Sequence, residues 1–324
     1  MSALKTRKPT GKPPWPMLLI AGAEKAGKSW ACAEASSSPL IGRTFWIGCG
    51  EDDPDEYAHV PGARFEIVVH DGTYRGLLNA IKLAAAEPTT DDKPNLIVFD
   101  SVTRLWDLLC HQAQDNALKR AITKAEKAKV PAPDEADVTM DLWNKAKDYW
   151  AGVMDALRAH RGPVVLTARL DDVVVLDNFG KPTRERDLKV KAEKSLPYDV
   201  TAIVQMPKRG EAWITGVKSV RVKLPKRKDV SDWFTVDELW RRMGLAEEGA
   251  TADRQHTGVD ATDTDQLAKA VLAEIGAVAD TLPGGRQAVA ESWAAEHGSN
   301  IAEATDVGLL ELFRDSLTAE EVAA

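Results

Sequence analysis

Gly22-Ala23-Glu24-Lys25-Ala26-Gly27-Lys28-Ser29 fits the phosphate-binding pattern G-x-x-x-x-G-K-[ST] at every fixed position. The apolar run Met17-Leu18-Leu19-Ile20-Ala21 before it has strand length, and Trp30-Ala31-Cys32-Ala33-Glu34-Ala35 after it favours helix. Strand, glycine loop and helix are the context in which such a loop holds phosphate. Gly22 and Gly27 are expected to take backbone angles closed to other residues. The N–H groups from Gly22 to Trp30 would then converge on an anion, helped by the positive end of the helix. Lys28 would reach the β- and γ-phosphates, and the Ser29 hydroxyl would be a Mg²⁺ ligand.

Working outward, Asn95-Leu96-Ile97-Val98-Phe99-Asp100 is the second anchor. A strand buried in a parallel sheet shows no alternation, only an apolar run. Its terminal Asp100 is expected to serve Mg²⁺ opposite Ser29. Between the anchors, Thr44-Phe45-Trp46-Ile47-Gly48 reads as a strand ending in Cys49-Gly50-Glu51-Asp52-Asp53-Pro54-Asp55. Carboxylates just past a strand lie where open α/β sheets place their ligands. Glu51 is the candidate to orient the water that attacks the γ-phosphate; its acidic neighbours read as a solvated turn. Arg64–Val69 reads as a third strand and 73–85 as a helix.

Helix is predicted from Thr103 to Lys129, broken by Val130-Pro131-Ala132-Pro133, and again over 141–160. Pro163–Arg169 is another buried strand. Its polar end, Thr167 and Arg169, is a candidate γ-phosphate sensor; the alternative is an arginine emerging into solvent. Strands alternating with helices define an α/β fold with a mainly parallel central sheet flanked by helices.

The net charge of −8 hides a polarity. Residues 178–228 carry 14 Lys/Arg against 5 Asp/Glu, while 246–324 carry 4 against 16. One face should attract polyanions although the chain is acidic. Residues 171–198 read as a long, mostly irregular segment, and such segments are usually functional. It holds Phe179, Lys181, Arg184, Arg186, Lys189, Lys191, Lys194 and Tyr198. Cations tracking phosphates and rings stacking on bases suit single-stranded nucleic acid. Next come a strand over 199–206, a turn at Lys208-Arg209-Gly210, and edge strands at 212–214 and 220–224. Lys218 and Arg221 stand by this edge, followed by the cluster Lys226-Arg227-Lys228. A helix over 236–243 opens with Thr235 and Glu238 in capping-box spacing.

The chain of 324 residues divides into a basic flexible tail (1–14), a core (15–245), an acidic linker (246–264) and a small helical unit (265–324). No apolar run has the ~18 residues of a membrane span, and residues 1–16 lack the apolar core of a secretory signal. Cys32, Cys49 and Cys110 are widely spaced, as expected of reduced thiols in a cytosolic protein without a zinc site.

Glu24 within the loop, Glu51 after the second strand, Asp100-Ser101-Val102 and Leu166-Thr167-Ala168-Arg169 resemble, in that order, the RecA-type ATPase core. With Lys-Ser-Val-Arg at 218–221, the layout over roughly 15–245 is most similar to the compact RecA-like ATPases of bacteriophages, the Sak-type single-strand annealing or recombination proteins. The resemblance implies ATP and Mg²⁺ as ligands and DNA-stimulated hydrolysis. Lys28 and Ser29 would hold phosphates and Mg²⁺, and Glu51 would activate water. The segment after Arg169 would lie where such proteins hold single-stranded DNA, with Lys181, Arg184, Arg186, Lys189 and Lys191 as contacts. Lys218 and Arg221 would reach a neighbouring subunit's nucleotide in a ring or filament. A single-stranded-DNA-binding or annealing protein would be a partner, and the host-cell cytoplasm the setting. Arg169 departs from the glutamine of RecA proteins, and the basic segment lacks a recombinase DNA-loop signature, which favours annealing over strand exchange. The alternatives are a nucleotide-gated adaptor, a ring helicase-like motor and a P-loop kinase.

Overall fold

The computed structural model describes residues 6–177, 180–223, 227–247, 251, 264–297, 300–304 and 306–323. The chain separates into two compact units, 1–256 and 257–324.

The first unit is built on one sheet. Its strands are β1 (Met17–Gly22), β2 (Thr44–Gly48), β3 (Glu66–Ile67), β4 (Leu96–Asp100), β5 (Val164–Leu176), β6 (Pro182–Lys191), β7 (Ala202–Met206), β8 (Trp213–Val217) and β9 (Lys228–Asp229). The order is β3-β2-β4-β5-β1-β7-β8-β9, with β6 paired to β5 off this path. From β3 to β7 all pairings are parallel. Parallel neighbours need crossovers, and those crossovers are helices. They are α1 (Lys28–Ala35), α2 (Tyr74–Ala86), α3 (Val102–Ala128) and α4 (Met140–Ala159), with a short α5 (Leu196–Asp199) and α6 (Val236–Arg242) later in the chain.

Both sheet faces are covered. Met17, Leu19 and Ala21 of β1 join a core with α2, α3 and α4, while Leu18 and Ile20 join another with α1 and α6. All six residues of β1 are therefore buried, which is why the run lacks polar alternation. The parallel strands end together: Gly22 is in register with Arg169 and Met206, and Gly48 with Asp100. That carboxyl edge gathers the chemistry.

Four expectations change. Segment 171–198 is not irregular, because β5 continues beyond the sheet to Leu176 and β6 returns antiparallel to it. The β-branched pair Val173-Val174 favours extension. Gly180 (φ 76) closes the turn, where Asp177 Oδ1 accepts the Lys181 N–H at 2.8 Å. Phe179 lies outside the described residues. Residues 220–223 form no strand; Lys228–Asp229 supplies the pairing to β8 instead. Leu224, Lys226 and most of the 246–264 linker also lie outside the described residues. The Arg64–Val69 strand shrinks to two residues. At α6, Thr235 accepts the Glu238 N–H at 3.0 Å, but the Glu238 carboxylate turns to Arg242 at 2.8 Å, so only half the capping box forms.

The second unit contains α7 (Thr264–Ala279), α8 (Gly285–His297) and α9 (Val307–Ala323) around Val271, Ile275, Trp293, Leu310 and Phe313. Among the described residues no helix is long and apolar enough to cross a membrane.

Candidate nucleotide-binding site

The loop after β1 is tied to the end of β7, where the Ala23 N–H donates to Met206 O at 3.1 Å. Gly22 serves by close approach and not by the backbone angle expected of it. A Cβ there would stand 3.0 Å from Met206 O and 3.1 Å from Lys28 Cγ. The left-handed positions are Lys25 (φ 53) and Gly27 (φ 103). Gly27 is the N-cap of α1 and brings no side-chain cap, so the first turn keeps its N–H groups for another acceptor. Ala26 is buried, whereas Glu24, Lys25 and Trp30 are exposed, Trp30 by half.

Lys28 folds back over the loop. Its ammonium donates to the carbonyls of Gly22 (3.1 Å) and Ala23 (2.8 Å). Burial lowers its pKa, against the opposing pull of Asp100 and Glu51. A desolvated cation on two neutral acceptors is primed to exchange them for anionic oxygens.

Asp100 is buried at the end of β4. It accepts from Ser29 Oγ at 3.2 Å on one oxygen and from Thr167 Oγ on the other. Burial raises its pKa, with the nearby Glu51 charge adding to the effect. Ser29 and Asp100 are thus brought together from α1 and β4. A hydroxyl beside a carboxylate is the donor set Mg²⁺ takes next to substrate phosphates. Thr167 is fully buried and spends its hydroxyl on Asp100, so it presents nothing to a γ-phosphate here.

Glu51 follows β2 in a stretch pinned to β4 by Cys49 N–H to Asp100 O at 2.5 Å. The Asp100–Ser101 peptide is cis. The Glu51 carboxylate accepts from Ser101 Oγ at 2.7 Å and from the Arg169 guanidinium at 2.8 and 2.9 Å. Burial pushes its pKa up, but the Arg169 and Ser101 hydrogen bonds outweigh that and hold it below the usual glutamate value. The Arg169 side chain, itself exposed, donates to Glu51, the proposed base.

Thr103, Arg104 and Met206 are contributors that motif reading passes over, and Ser101, noted only within the Asp100-Ser101-Val102 motif, proves to hold Glu51. Arg104 donates from Nε to Gly50 O at 3.1 Å, fixing the turn before Glu51. Thr103 Oγ donates to Lys191 O at 2.6 Å and accepts the Arg169 N–H at 2.9 Å. The one signal for Thr103 and Arg104 is position, in the first helical turn after Asp100; Met206, at the end of β7, has none.

The five hairpin cations do not share a face. Residues opposite each other in an antiparallel pair point the same way, so Arg169, Asp171, Val173, Asp187, Lys189 and Lys191 line one face of the β5–β6 ribbon. Arg186 lies on the other with Val174 and Leu188, and pairs with Asp172 at 3.4 Å. Arg184 is exposed on β6, and Lys181 is at the turn. Lys218 and Arg221 are at the opposite end of the sheet from the loop: the Lys218 N–H donates to Thr201 O at 2.7 Å, and Arg221 pairs with Glu247.

A phosphate loop on β1 and an acid on β4, separated by the inserted β5, define a P-loop NTPase core. The chain belongs to the AAA domain family, which it matches over residues 16–228, well over half its length. Among solved structures it is similar to the RadB recombinase, at 16% identity over 63% of this chain and 81% of that one, with a TM-score of 0.36. It is also similar to an ATPase from the type III secretion system of pathogenic bacteria, at 12% identity over 95% and 82% of the two chains, with a TM-score of 0.35. No curated protein matches it.

Proposed function

We propose that the protein is a Mg²⁺-dependent ATPase that binds single-stranded DNA as an oligomer and couples hydrolysis to annealing or recombination. One observation carries this reading. Strand β5 ends its sheet pairing at Arg169, on the proposed base, and continues outward as a hairpin bearing Lys189 and Lys191. The same strand thus touches the nucleotide chemistry and the hairpin that carries both lysines.

In this reading Lys28 exchanges its two carbonyl partners for phosphate oxygens, and the N–H groups of the loop and of α1 cradle the rest. Ser29 and Asp100 would hold Mg²⁺, which when bound neutralises charge on the phosphates. Glu51 takes a proton from the attacking water as the bond to the leaving phosphate breaks. Lys189 and Lys191 lie on the ribbon face that leads back to Arg169 and would track the DNA backbone, while Lys181, Arg184 and Arg186 would contact it elsewhere on the hairpin. In a ring or filament, Lys218 and Arg221 would serve a neighbour's nucleotide, Arg221 giving up Glu247 for phosphate. The partner class this reading implies is a single-stranded-DNA-binding or annealing protein in the host-cell cytoplasm.

The test is ATPase rate with and without single-stranded DNA, for the wild type, Lys28→Ala and Glu51→Gln. DNA should stimulate the wild type, and its binding should weaken steeply with salt. Both variants should lose turnover, and Glu51→Gln should still bind ATP and DNA. Failure of DNA to bind or stimulate at low salt would remove the DNA part of the reading.

A further inference from the structure

Glu51 is tightly bound for a group that must accept a proton. Its Oε1 accepts from Ser101 Oγ (2.7 Å), Arg169 Nη2 (2.9 Å) and Arg169 Nε (3.2 Å), while Oε2 accepts from Arg169 Nη2 at 2.8 Å. An ionised carboxylate offers about four acceptor sites in all. Oε1 is thus saturated, and a guanidinium in contact with both oxygens weakens their basicity. Held this way, the carboxylate is a poor partner for water.

The residue holding it is not rooted in the nucleotide site alone. Arg169 is the last residue of β5 paired with β1, opposite Gly22. It is also the first residue paired with β6, opposite Lys191. The Thr103 hydroxyl stitches the two strands at this point, donating to Lys191 O and accepting the Arg169 N–H. Lys191 also faces Asp107 of α3 at 3.7 Å. Beyond Arg169 the only described strand partner of β5 is β6. A displacement of the ribbon therefore acts on the backbone of Arg169.

We propose that Arg169 is a positioning residue that restrains Glu51 in the resting protein, and that a strand engaging Lys189 and Lys191 draws Arg169 away and frees the carboxylate for water. This inference rests on the reading of Glu51 as the base and of the hairpin as the DNA surface. It reverses the role of Arg169 from γ-phosphate sensor to brake.

The experiment is steady-state ATP hydrolysis by the full chain without DNA, comparing wild type, Arg169→Lys and Arg169→Ala, each first checked for a cooperative thermal melt. A positioned base contributes about 10²–10⁴-fold, so partial release of a restrained one should raise basal kcat about tenfold in Arg169→Ala. The KM for ATP should change little, because the Arg169 side chain donates to Glu51 and not to the loop. Arg169→Lys keeps the charge but loses the two-pronged grip, and should fall between. Adding Glu51→Gln to Arg169→Ala should abolish the gain, which a general loosening of the fold would not predict. Poly(dT) should stimulate Arg169→Ala less than the wild type. A basal rate at or below wild type in both arginine variants would overturn the restraint, even if DNA still stimulates the wild type. A raised basal rate in a protein that DNA does not stimulate would support the restraint while overturning its release by DNA.

Discussion

The two ends of β5 obey different physics. From Val164 to Ala168 the strand lies between β1 and β4 with every side chain fully buried. Beyond Arg169 it is half of a two-stranded ribbon whose Asp171, Asp172, Lys189 and Arg186 are exposed. The first part derives its rigidity from layers above and below. The second has cross-strand pairs alone, and a two-stranded ribbon is marginal without further packing. A rigid end suits a site that must hold charges within tenths of an ångström. A compliant end suits a surface that must respond to a polymer.

Substitutions can break this contrast at either end. The largest effect is expected at Lys28→Ala, which should lower kcat/KM for ATP by at least about 10³-fold, because phosphoryl transfer depends on positioned charge. Nucleotide binding followed by fluorescence alongside turnover would check it. Next, Leu166→Ala in the buried part of β5 should cost about 2–5 kcal/mol in urea unfolding. Val174→Ala on the ribbon should stay within about 0.5 kcal/mol. Equal losses at the two sites would erase the distinction. Third, Lys189→Ala and Lys191→Ala should each reduce the salt slope of single-strand binding by about one, with ATP affinity unchanged.

The smallest effect concerns Asp100. Burial raises its pKa, so the native state holds a proton more firmly than the unfolded chain does. Stability from this group is therefore lost as pH rises from the unfolded aspartate value through the raised one. Above the raised value the ionised Asp100 is a cost to the nucleotide-free protein. Asp100→Asn should raise its melting temperature by about 2–4 °C, the shift that ~1 kcal/mol produces in a domain of this size. The gain should shrink toward pH 4. A drop at pH 7 would mean that the Thr167 and Ser29 hydrogen bonds outweigh burial.

The parallel core was legible because its signals are local. Four apolar residues ending in Asp100, or five preceding Gly22, are what a strand covered on both faces must look like. The hairpin was not legible as structure, because the charged run Arg184-Glu185-Arg186-Asp187 in the middle of Pro182–Lys191 masks the period of two. Apolar Leu188 and Val190 are its only alternating marks on β6. Edge pairing at β8 was misplaced for a related reason. Val220-Arg221-Val222-Lys223 alternates well but forms no strand, while Lys228–Asp229 pairs without alternating.

What the sequence determined by itself was the phosphate loop, its flanking strand and helix, the acid at the end of β4 and the α/β class. Each depends on residues within about ten positions and on backbone rules that hold in any context. What only the tertiary structure decided was the state of Glu51. Its partner Arg169 lies 118 residues away, and Ser101 lies 50 away. Nothing local distinguishes an arginine that meets a carboxylate from one that meets solvent. The sheet order brings the ends of β2, β4 and β5 together, and that order is set by the burial of both faces at once.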